Sequence, residues 1–367
     1  MSRILRFATF ALSGALIAAA CGGGGPAATS APSAPAATSA ATTAPSAAGA
    51  FNEAAEATKL YDAATAANET EVNLYSSINE EEAKPLLDIW TKAFPKIKAN
   101  YIRASESALI SRILTEAQGN KNNFDVVATT STHLLGPAGL SLKYFPPNAQ
   151  KIPDDVKDKD GLWFSIYTNW NIVQFNTSKV KKGDITKYED FLKPQFKGQI
   201  IIDDSDIEWY QGLIASRGQE KADQLIKDIV KTNGVTVIDG HGTINDKITA
   251  GEFAVALNQY VNQPERSKRQ GGPTDWLAIE PVTIITAGKV AVAKSAPHPN
   301  SAKLMANFLV STDAQKYLAG RGRQTTRTDV PLDPPDLLKG ISKTYTAPVL
   351  PAAEQAELQK KFKALFK

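Results

Sequence analysis

The stretch EVNLYSSINEEEAKPLLDIWTKAFPKIKANYIR, residues 71–103, predicts a strand, a helix and a second strand in succession. Between the two strands, residues 79–94 carry apolar side chains at helical spacing. Ser77 or Asn79 can cap this helix, and three glutamates occupy its first turn, where the helix dipole favours anions. Such strand–helix–strand units imply a parallel or mixed sheet that is covered by helices.

Further helices and strands alternate on both sides of this stretch. Predicted helices cover residues 51–68, 105–117, 209–217, 220–232 and 244–250. Predicted strands cover residues 124–129, 198–202, 235–238 and 253–257. This alternation, over a length that exceeds one compact core, predicts an α/β protein with two lobes and a cleft between them.

The predicted cleft is lined by two different sets of side chains. In open α/β sheets, ligands bind beyond the carboxyl ends of the strands and near helix N-termini. That rule assigns hydroxyl and basic side chains to one wall, namely Ser76, Ser77, Arg103, Ser105, Thr130 and Ser131. It assigns acidic and ring-bearing side chains to the other wall, namely Glu208, Trp209, Tyr210, His241 and Tyr260. Tyr167 is a further candidate near a predicted strand end.

The first fifty residues predict export and a tether. Arg3 and Arg6 precede an apolar segment that ends in small residues at Cys21, the only cysteine. This pattern is typical of a secretory signal and resembles a bacterial lipoprotein signal, in which the cysteine is acylated. Residues 22–50 contain only Gly, Pro, Ala, Ser and Thr, which cannot form a core. We expect a signal peptide at 1–20 and a disordered tether within 21–52; an ordinary cleaved signal is the alternative.

Composition and motifs exclude several classes of function. Removal of residues 1–20 lowers the count of Lys and Arg from 41 to 39, against 38 Asp and Glu, so nothing favours a nucleic-acid partner. The sequence lacks the His-Glu-x-x-His pair of zinc proteases, the Gly-x-Ser-x-Gly elbow and the Gly-rich phosphate and dinucleotide loops. We therefore expect no enzyme, and an exported hydrolase is the alternative.

Several short segments, taken in order, resemble one family. They are Tyr75-Ser76-Ser77, Phe196-Lys197-Gly198, Gly251-Glu252, residues 296–304, Phe308-Leu309-Val310-Ser311 and Gln315. Together they are similar to the extracellular solute-binding proteins of ABC importers, in the group that contains ferric-iron-binding proteins. The resemblance implies a type 2 periplasmic-binding-protein fold, with two mixed sheets flanked by helices and an interlobe cleft.

The resemblance also implies how the chain is divided into lobes and which partners it has. Lobe 1 would comprise residues 53–172 and 283–367, including C-terminal helices that close over it, and lobe 2 would comprise residues 173–282. Crossovers are expected near residues 171–176 and 280–284. The implied partners are an ABC permease in the cytoplasmic membrane, the membrane itself through acylated Cys21, and a small solute. The protein would be an extracytoplasmic, lipid-anchored monomer that closes around its solute and performs no chemistry.

The identity of the solute follows less directly from the resemblance. Iron-binding relatives carry adjacent tyrosines after the Gly-Glu strand, and some carry a histidine after the first strand. Here the tyrosine position is Tyr260, but Val261 follows it, and Asn79 stands in place of the histidine. Tyr260, Tyr210 and Glu208 are the candidate metal ligands, and Tyr167 and Asp204 are further replacements. Fe(III), with or without a synergistic anion, would be a cargo rather than a cofactor.

Two other solutes and one other class of protein stay open from the residues. The hydroxyls of the first wall, with Arg103, suit a small organic anion such as a phosphonate or carboxylate. The acids of residues 203–208, with Trp209 and Tyr210, suit a polyamine-like cation, although the same acids can simply cap a helix. A surface protein that senses ligands or adheres without a transporter is a third class.

Overall fold

The computed structural model describes residues 51–367, which form one compact unit. The predicted signal peptide, the acylated Cys21 and most of the tether lie outside the described residues. The helices are α1 (Glu53–Ala66), α2 (Glu80–Ala93), α3 (Glu106–Gln118), α4 (Ile207–Arg217), α5 (Gln219–Asn233), α6 (His241–Ala250), α7 (Asn262–Arg269), α8 (Pro299–Leu309), α9 (Thr312–Gly320) and α10 (Ala352–Ala364). None of these helices is both long enough and apolar enough to cross a membrane.

Eleven strands accompany these helices within the described part of the chain. They are β1 (Glu71–Ser76), β2 (Lys98–Arg103), β3 (Val126–Thr129), β4 (Phe164–Asn176), β5 (Ile200–Ile202), β6 (Thr236–Val237), β7 (Val255–Tyr260), β8 (Thr274–Leu277), β9 (Val282–Val292), β10 (Gln324–Thr325) and β11 (Thr344–Thr346). The main path of the mixed sheet runs β2-β1-β3-β9-β4-β7-β5-β6. The α/β prediction is therefore confirmed.

The unit β1–α2–β2 forms as its local sequence indicates. β1 pairs in parallel with both β2 and β3, so the first part of the chain builds a parallel sheet with α2 as a crossover. Asn79 caps α2 by accepting a hydrogen bond from the Glu82 amide at 2.9 Å. Leu86 and Trp90 of α2 are fully buried beneath the sheet. The cap and the apolar spacing of this helix are local features of the sequence, which is why they could be predicted.

Strand β4 belongs to two parts of the sheet. Its first residues pair antiparallel with β9 as far as Trp170, and from Asn171 onward it pairs antiparallel with β7. The predicted crossover near residues 171–176 coincides with this change of partner. The second predicted crossover, near residues 280–284, coincides with the passage from β8 into β9. Both connections are therefore continuous backbone between the two ends of the sheet.

Two large hydrophobic cores lie on either side of this change of partner. The first core takes residues from 64 to 167 and from 285 to 318, including Trp90 and Phe308. The second core takes residues from 173 to 279 and, in addition, Phe362 and Leu365. We call the parts of the structure around these cores the first half and the second half. The polar side chains between them form the site described below.

The end of the chain differs from the sequence expectation. The C-terminal helices were expected to close over lobe 1, but α10 packs on the second core. Phe362 of α10 is fully buried, its ring stacks on Tyr210 at a centroid distance of 4.9 Å, and it also contacts Trp209. The reason is that Trp209 and Tyr210 leave an aromatic surface on α4 that the second half cannot cover by itself.

Candidate functional site

Ionisable side chains from both halves meet between the two cores. The first half supplies Glu106 at the start of α3 and Lys289 on β9. The second half supplies an acidic cluster around the start of α4, together with two rings at the end of β7 and the start of α6. These residues are Asp203, Asp206, Glu208, His241 and Tyr260. Asp203, Asp206 and Lys289 are buried, and the other members are partly buried. We call this set the polar cleft.

The two aspartates are fixed by backbone and amide donors. Asp206 caps α4 through the Trp209 amide at 3.3 Å and accepts from Asn171 Nδ2 at 2.6 Å. Asp203 accepts from the Ser205 amide at 2.8 Å and from the Gly240 amide at 2.9 Å. The capping role is therefore real for Asp206. It coexists with a position in the cleft, because one carboxylate oxygen faces Asn171 on the crossover strand β4.

His241 and Tyr260 form a ring pair above the aspartates. Their ring centroids are 3.7 Å apart. His241 Nε2 lies 3.7 Å from Asp203 and 3.9 Å from Asp206, while its Nδ1 is buried without a hydrogen-bond partner. Burial lowers the pKa of His241, although Asp203 opposes that effect. The imidazole is therefore neutral at pH 7, with a nitrogen that can accept or donate.

Glu106, Glu208 and Lys289 link the two halves. Ser131 donates its hydroxyl to Glu106, and Lys289 donates to the carbonyl oxygens of Thr130, at 2.8 Å, and of Thr286. Glu208 and Lys289 line one pocket together with residues 347–350. Desolvation raises the pKa of Glu208 to about 7 and lowers the pKa of Lys289 to about 8.

The acids of the polar cleft raise one another's pKa. Burial is the largest cause for Asp206, whose pKa lies well above its usual range, and the charges of Glu208 and Asp203 raise it further. Tyr260 behaves in the same way: burial first, and then four nearby carboxylates, hold its pKa well above the ordinary value. The charge of Lys289 opposes this effect on Glu208. The polar cleft thus contains four carboxyl groups and one lysine.

An ion pair that the sequence did not reveal borders the cleft. Arg323 donates to both oxygens of Glu82, at 2.8 and 2.7 Å, and to Asn169 at 3.2 Å. Its guanidinium lies 4.2 Å from the centre of the Tyr167 ring. All four side chains are buried. Tyr167, a predicted site residue, is therefore held against the first half by Arg323. The pair escaped prediction because its members come from α2 and the loop after α9, far apart in the chain.

Trp209 and Tyr210 do not face the polar cleft. The Trp209 indole donates to the Tyr188 hydroxyl at 2.8 Å, and the Tyr210 hydroxyl contacts Asp223 on α5. Both rings complete the second core with Phe362. The prediction of Tyr210 as a metal ligand and the prediction of Trp209 as a stacking surface are corrected accordingly. In an α-helix, successive side chains are about 100° apart, so Glu208 can face the cleft while the next two residues face the core.

The wall of hydroxyls is also arranged differently from the prediction. The Ser76 hydroxyl is buried and donates to the Ala128 carbonyl at 2.8 Å, which occupies it within the sheet. Arg103 is exposed at the end of β2, Ser77 is only partly buried, and Ser105 precedes α3 without a side-chain capping bond. Thr130 and Ser131 do reach the cleft, but they hold Lys289 and Glu106. Three of the six predicted residues of this wall, Ser76, Thr130 and Ser131, are therefore engaged in contacts within the protein.

Metal-binding side chains are not gathered into a ready-made site. Among residues 51–367, no three His, Cys, Asp or Glu side chains are arranged to hold a metal ion together. Tyrosine is the other oxygen donor of the cleft, and Tyr260 stands beside His241 and the acids that raise its pKa. Any metal bound here would therefore need Tyr260, or an anion that arrives with the metal, to complete its coordination.

Comparisons with known proteins agree on the kind of molecule. Two curated relatives from Synechocystis are "Iron uptake protein A2", 26% identical over 72% of this chain and 80% of its own length, and "Iron uptake protein A1", 28% identical over 70% and 75%. Iron-bound HitA from Pseudomonas aeruginosa shares the fold with a TM-score of 0.64 at 19% identity, over 81% of this chain and 98% of that one.

A second solved structure extends this likeness, and a family profile defines the class. The Trichodesmium protein "in complex with iron and citrate ligands" has a TM-score of 0.60 at 22% identity, over 80% of this chain and 99% of that one. The profile of the bacterial extracellular solute-binding proteins matches residues 86–347, most of the described chain. The fold is shared with solved structures of such binding proteins. The chain belongs to the bacterial extracellular solute-binding protein family.

Proposed function

We propose that this protein captures ferric iron, alone or as an iron–anion complex, between its two halves and delivers it to the permease of an ABC importer. The observation that carries the proposal is the polar cleft, in which four carboxylates raise the pKa of Tyr260. Fe(III) is a hard cation that favours anionic oxygen donors, and its charge would lower those pKa values and ionise the phenol. The curated relatives named for iron uptake support the same cargo.

Tyr260 and Glu208 are the residues that we propose as iron ligands. Tyr260 extends from the end of β7, and Glu208 from the first turn of α4, so both belong to the second half. Glu106 faces them from the first half, where Ser131 holds it. An anion that arrives with the iron would supply the remaining donors. Closure of the halves would then bring together contacts that the open form lacks, so that the cargo itself favours closure.

The rest of the proposed function concerns delivery. We propose that the two halves move as bodies joined by β4 and β9, that Cys21 is acylated and anchors the protein to the membrane, and that the monomer docks on its permease when closed. No bond is made or broken in this cycle. Mass spectrometry of the protein purified from membranes tests the anchor, because acyl chains on Cys21 add a defined mass.

The decisive experiment replaces one hydroxyl. The Tyr260→Phe variant should lose the visible tyrosinate-to-iron absorption band and bind Fe(III)-citrate at least about tenfold more weakly, because a single charge-assisted contact to a trivalent ion is lost. Tyr210→Phe is the matched control: its hydroxyl contacts Asp223 in the second half, so binding and the band should persist. Equal binding by Tyr260→Phe and the wild type would contradict the proposal.

A polyamine-like cation is the second candidate, because the same carboxylates can pair with ammonium groups. Thermal-shift titrations of the wild type with spermidine, a phosphonate and Fe(III)-citrate separate the cargo classes. A thermal shift with spermidine alone would indicate that the cargo is a polyamine and not iron. A shift with the phosphonate alone would contradict the proposal of a cationic cargo.

A further inference from the structure

Lys289 is a buried cation that no ligand-binding prediction includes. Its side chain is 2% exposed, although lysine is rarely buried without a partner. Its ammonium nitrogen donates to the carbonyl oxygens of Thr130, at 2.8 Å, and of Thr286, and it lies 5.6 Å from the centre of the Trp163 ring. Three fixed contacts hold the ammonium in one place, so its position is built into the first half.

The ammonium group of Lys289 lies near carboxylates from both halves of the structure. Glu106 approaches from the first turn of α3, and Glu208 approaches from the first turn of α4 in the second half. Both carboxylates interact electrostatically with Lys289, and Glu208 lines the same pocket. Lys289 is therefore a positive charge near carboxylates of both halves, although its hydrogen bonds go to carbonyl oxygens and not to those carboxylates.

We infer that Lys289 is a built-in competitor for the cargo cation and thereby sets the lowest charge that the polar cleft accepts. The inference rests on the proposed function, since it takes the cargo to be a cation. The ammonium of Lys289 belongs to the chain, so it is always present at the site. A free amine with one positive charge would lose translational and rotational entropy on binding and would interact with the carboxylates no more strongly than Lys289 does. A trivalent ion gains more from the same carboxylates and can bind in spite of the nearby ammonium.

Two substitutions at position 289 test the inference. Lys289→Met removes the charge, and Lys289→Gln removes the charge but keeps a donor for the Thr130 carbonyl, which guards against a simple failure to fold. Lys294→Met is the matched control, because Lys294 is exposed just beyond the end of β9. The probes are Tb(III), followed by luminescence sensitised by Trp and Tyr, and the monovalent cation butylammonium, followed by calorimetry.

Both Lys289 variants should bind Tb(III) about tenfold more tightly than the wild type, within the usual range of coupling between two sites, and should gain binding of butylammonium. Lys294→Met should match the wild type. Unchanged or weaker Tb(III) binding by folded Lys289 variants would overturn the inference, because the lysine would then assist the ligand or do nothing.

The design separates the inference from the proposed function. If the wild type fails to bind Fe(III)-citrate but the Lys289 variants still gain affinity for Tb(III), iron is wrong as the cargo and the competitor role stands. If the wild type binds Fe(III)-citrate with a tyrosinate band and the Lys289 variants show no gain, the cargo stands and the competitor role fails.

Discussion

Glu82 and Arg323 form a buried ion pair in which each charge depends on the other for stabilisation. Their bidentate contact places two full charges in the interior, and the partnership lowers the pKa of Glu82 despite burial, which by itself would raise it. Glu82→Met should cost about 3–5 kcal/mol of unfolding free energy, because Arg323 would remain buried without its partner. The double variant Glu82→Met/Arg323→Met should recover most of that loss.

Urea unfolding at pH 7 measures both of these variants. A double variant as unstable as Glu82→Met alone would contradict the explanation, since the loss would then come from packing rather than from the unpaired guanidinium. Lys84→Met is a suitable control, because the Lys84–Glu80 pair lies on the exposed face of the same helix and such pairs contribute about 0–1 kcal/mol.

The buried side chain of His133 makes the free energy of unfolding depend on pH. Burial, with help from the charge of Lys289, lowers the pKa of His133 to about 4, whereas an unfolded histidine titrates near ~6.5. Between these two values the unfolded chain binds more protons, so His133 contributes a loss of stability as the pH falls through that window and none above it. His133→Gln should flatten the decline.

Urea unfolding at pH 7.5, 6 and 5 checks this prediction. The wild type and the variant should differ little in their change of stability between pH 7.5 and 6 and should diverge between pH 6 and 5. Parallel pH profiles over the whole range would show that His133 stays neutral in both states or charged in both.

The candidate site was only partly predictable at the residue scale. Tyr260, His241 and Glu208 were expected in the cleft from their place at strand ends and helix starts, and the structure brings them together. Lys289 and Arg323 could not be found in that way, because each is explained by a partner far away in sequence. Tyr210 was misplaced for a related reason: its partner Phe362 lies near the other end of the chain.

The helices and strands themselves were largely predictable, because their causes are local. The predicted strand at residues 98–103 has the observed bounds of β2, and the predicted helix at residues 220–232 is α5 shortened by one residue at each end. Apolar spacing and caps act within one or two turns, so they can be read from the sequence. Which core a helix covers is not a local property, and α10 was therefore assigned to the wrong half.

Helix α4 must lie close to β9 for the halves to share one site. A Cβ atom at Gly212 of α4 would come within 1.8 Å of Thr283 Oγ1 on β9. Gly212→Ala should therefore destabilise the protein by about 1–3 kcal/mol through overpacking, and it should weaken cargo binding because Glu208 lies one turn away on the same helix.

Thermal unfolding and Fe(III)-citrate titration measure the two effects. Gly183→Ala is the control, since a Cβ at that position meets open space. Gly212→Ala/Thr283→Ala should restore part of the stability. A Gly212→Ala protein as stable as the wild type would mean that α4 and β9 can separate at no cost.

At the scale of the whole molecule, β4 and β9 confine the relative motion of the two halves. β4 passes from one core to the other without a break, and the segment between β8 and β9 makes the second connection, so opening must bend the chain near residues 170–171 and 278–281. Fe(III)-citrate should reduce the radius of gyration of the wild type in solution scattering, because contacts from both halves exist together only in the closed form. Tyr260→Phe should show a smaller contraction, and an unchanged radius in the wild type would contradict closure.

The placement of Phe362 has a consequence for how the chain acquires its fold. The second core is built from the middle of the sequence, yet its aromatic surface on Trp209 and Tyr210 is finished by a residue near the end. A chain that emerges in order from its N-terminus must therefore wait, with that surface still uncovered, until its last turns have been synthesised. A product truncated before α10 would keep that aromatic surface exposed.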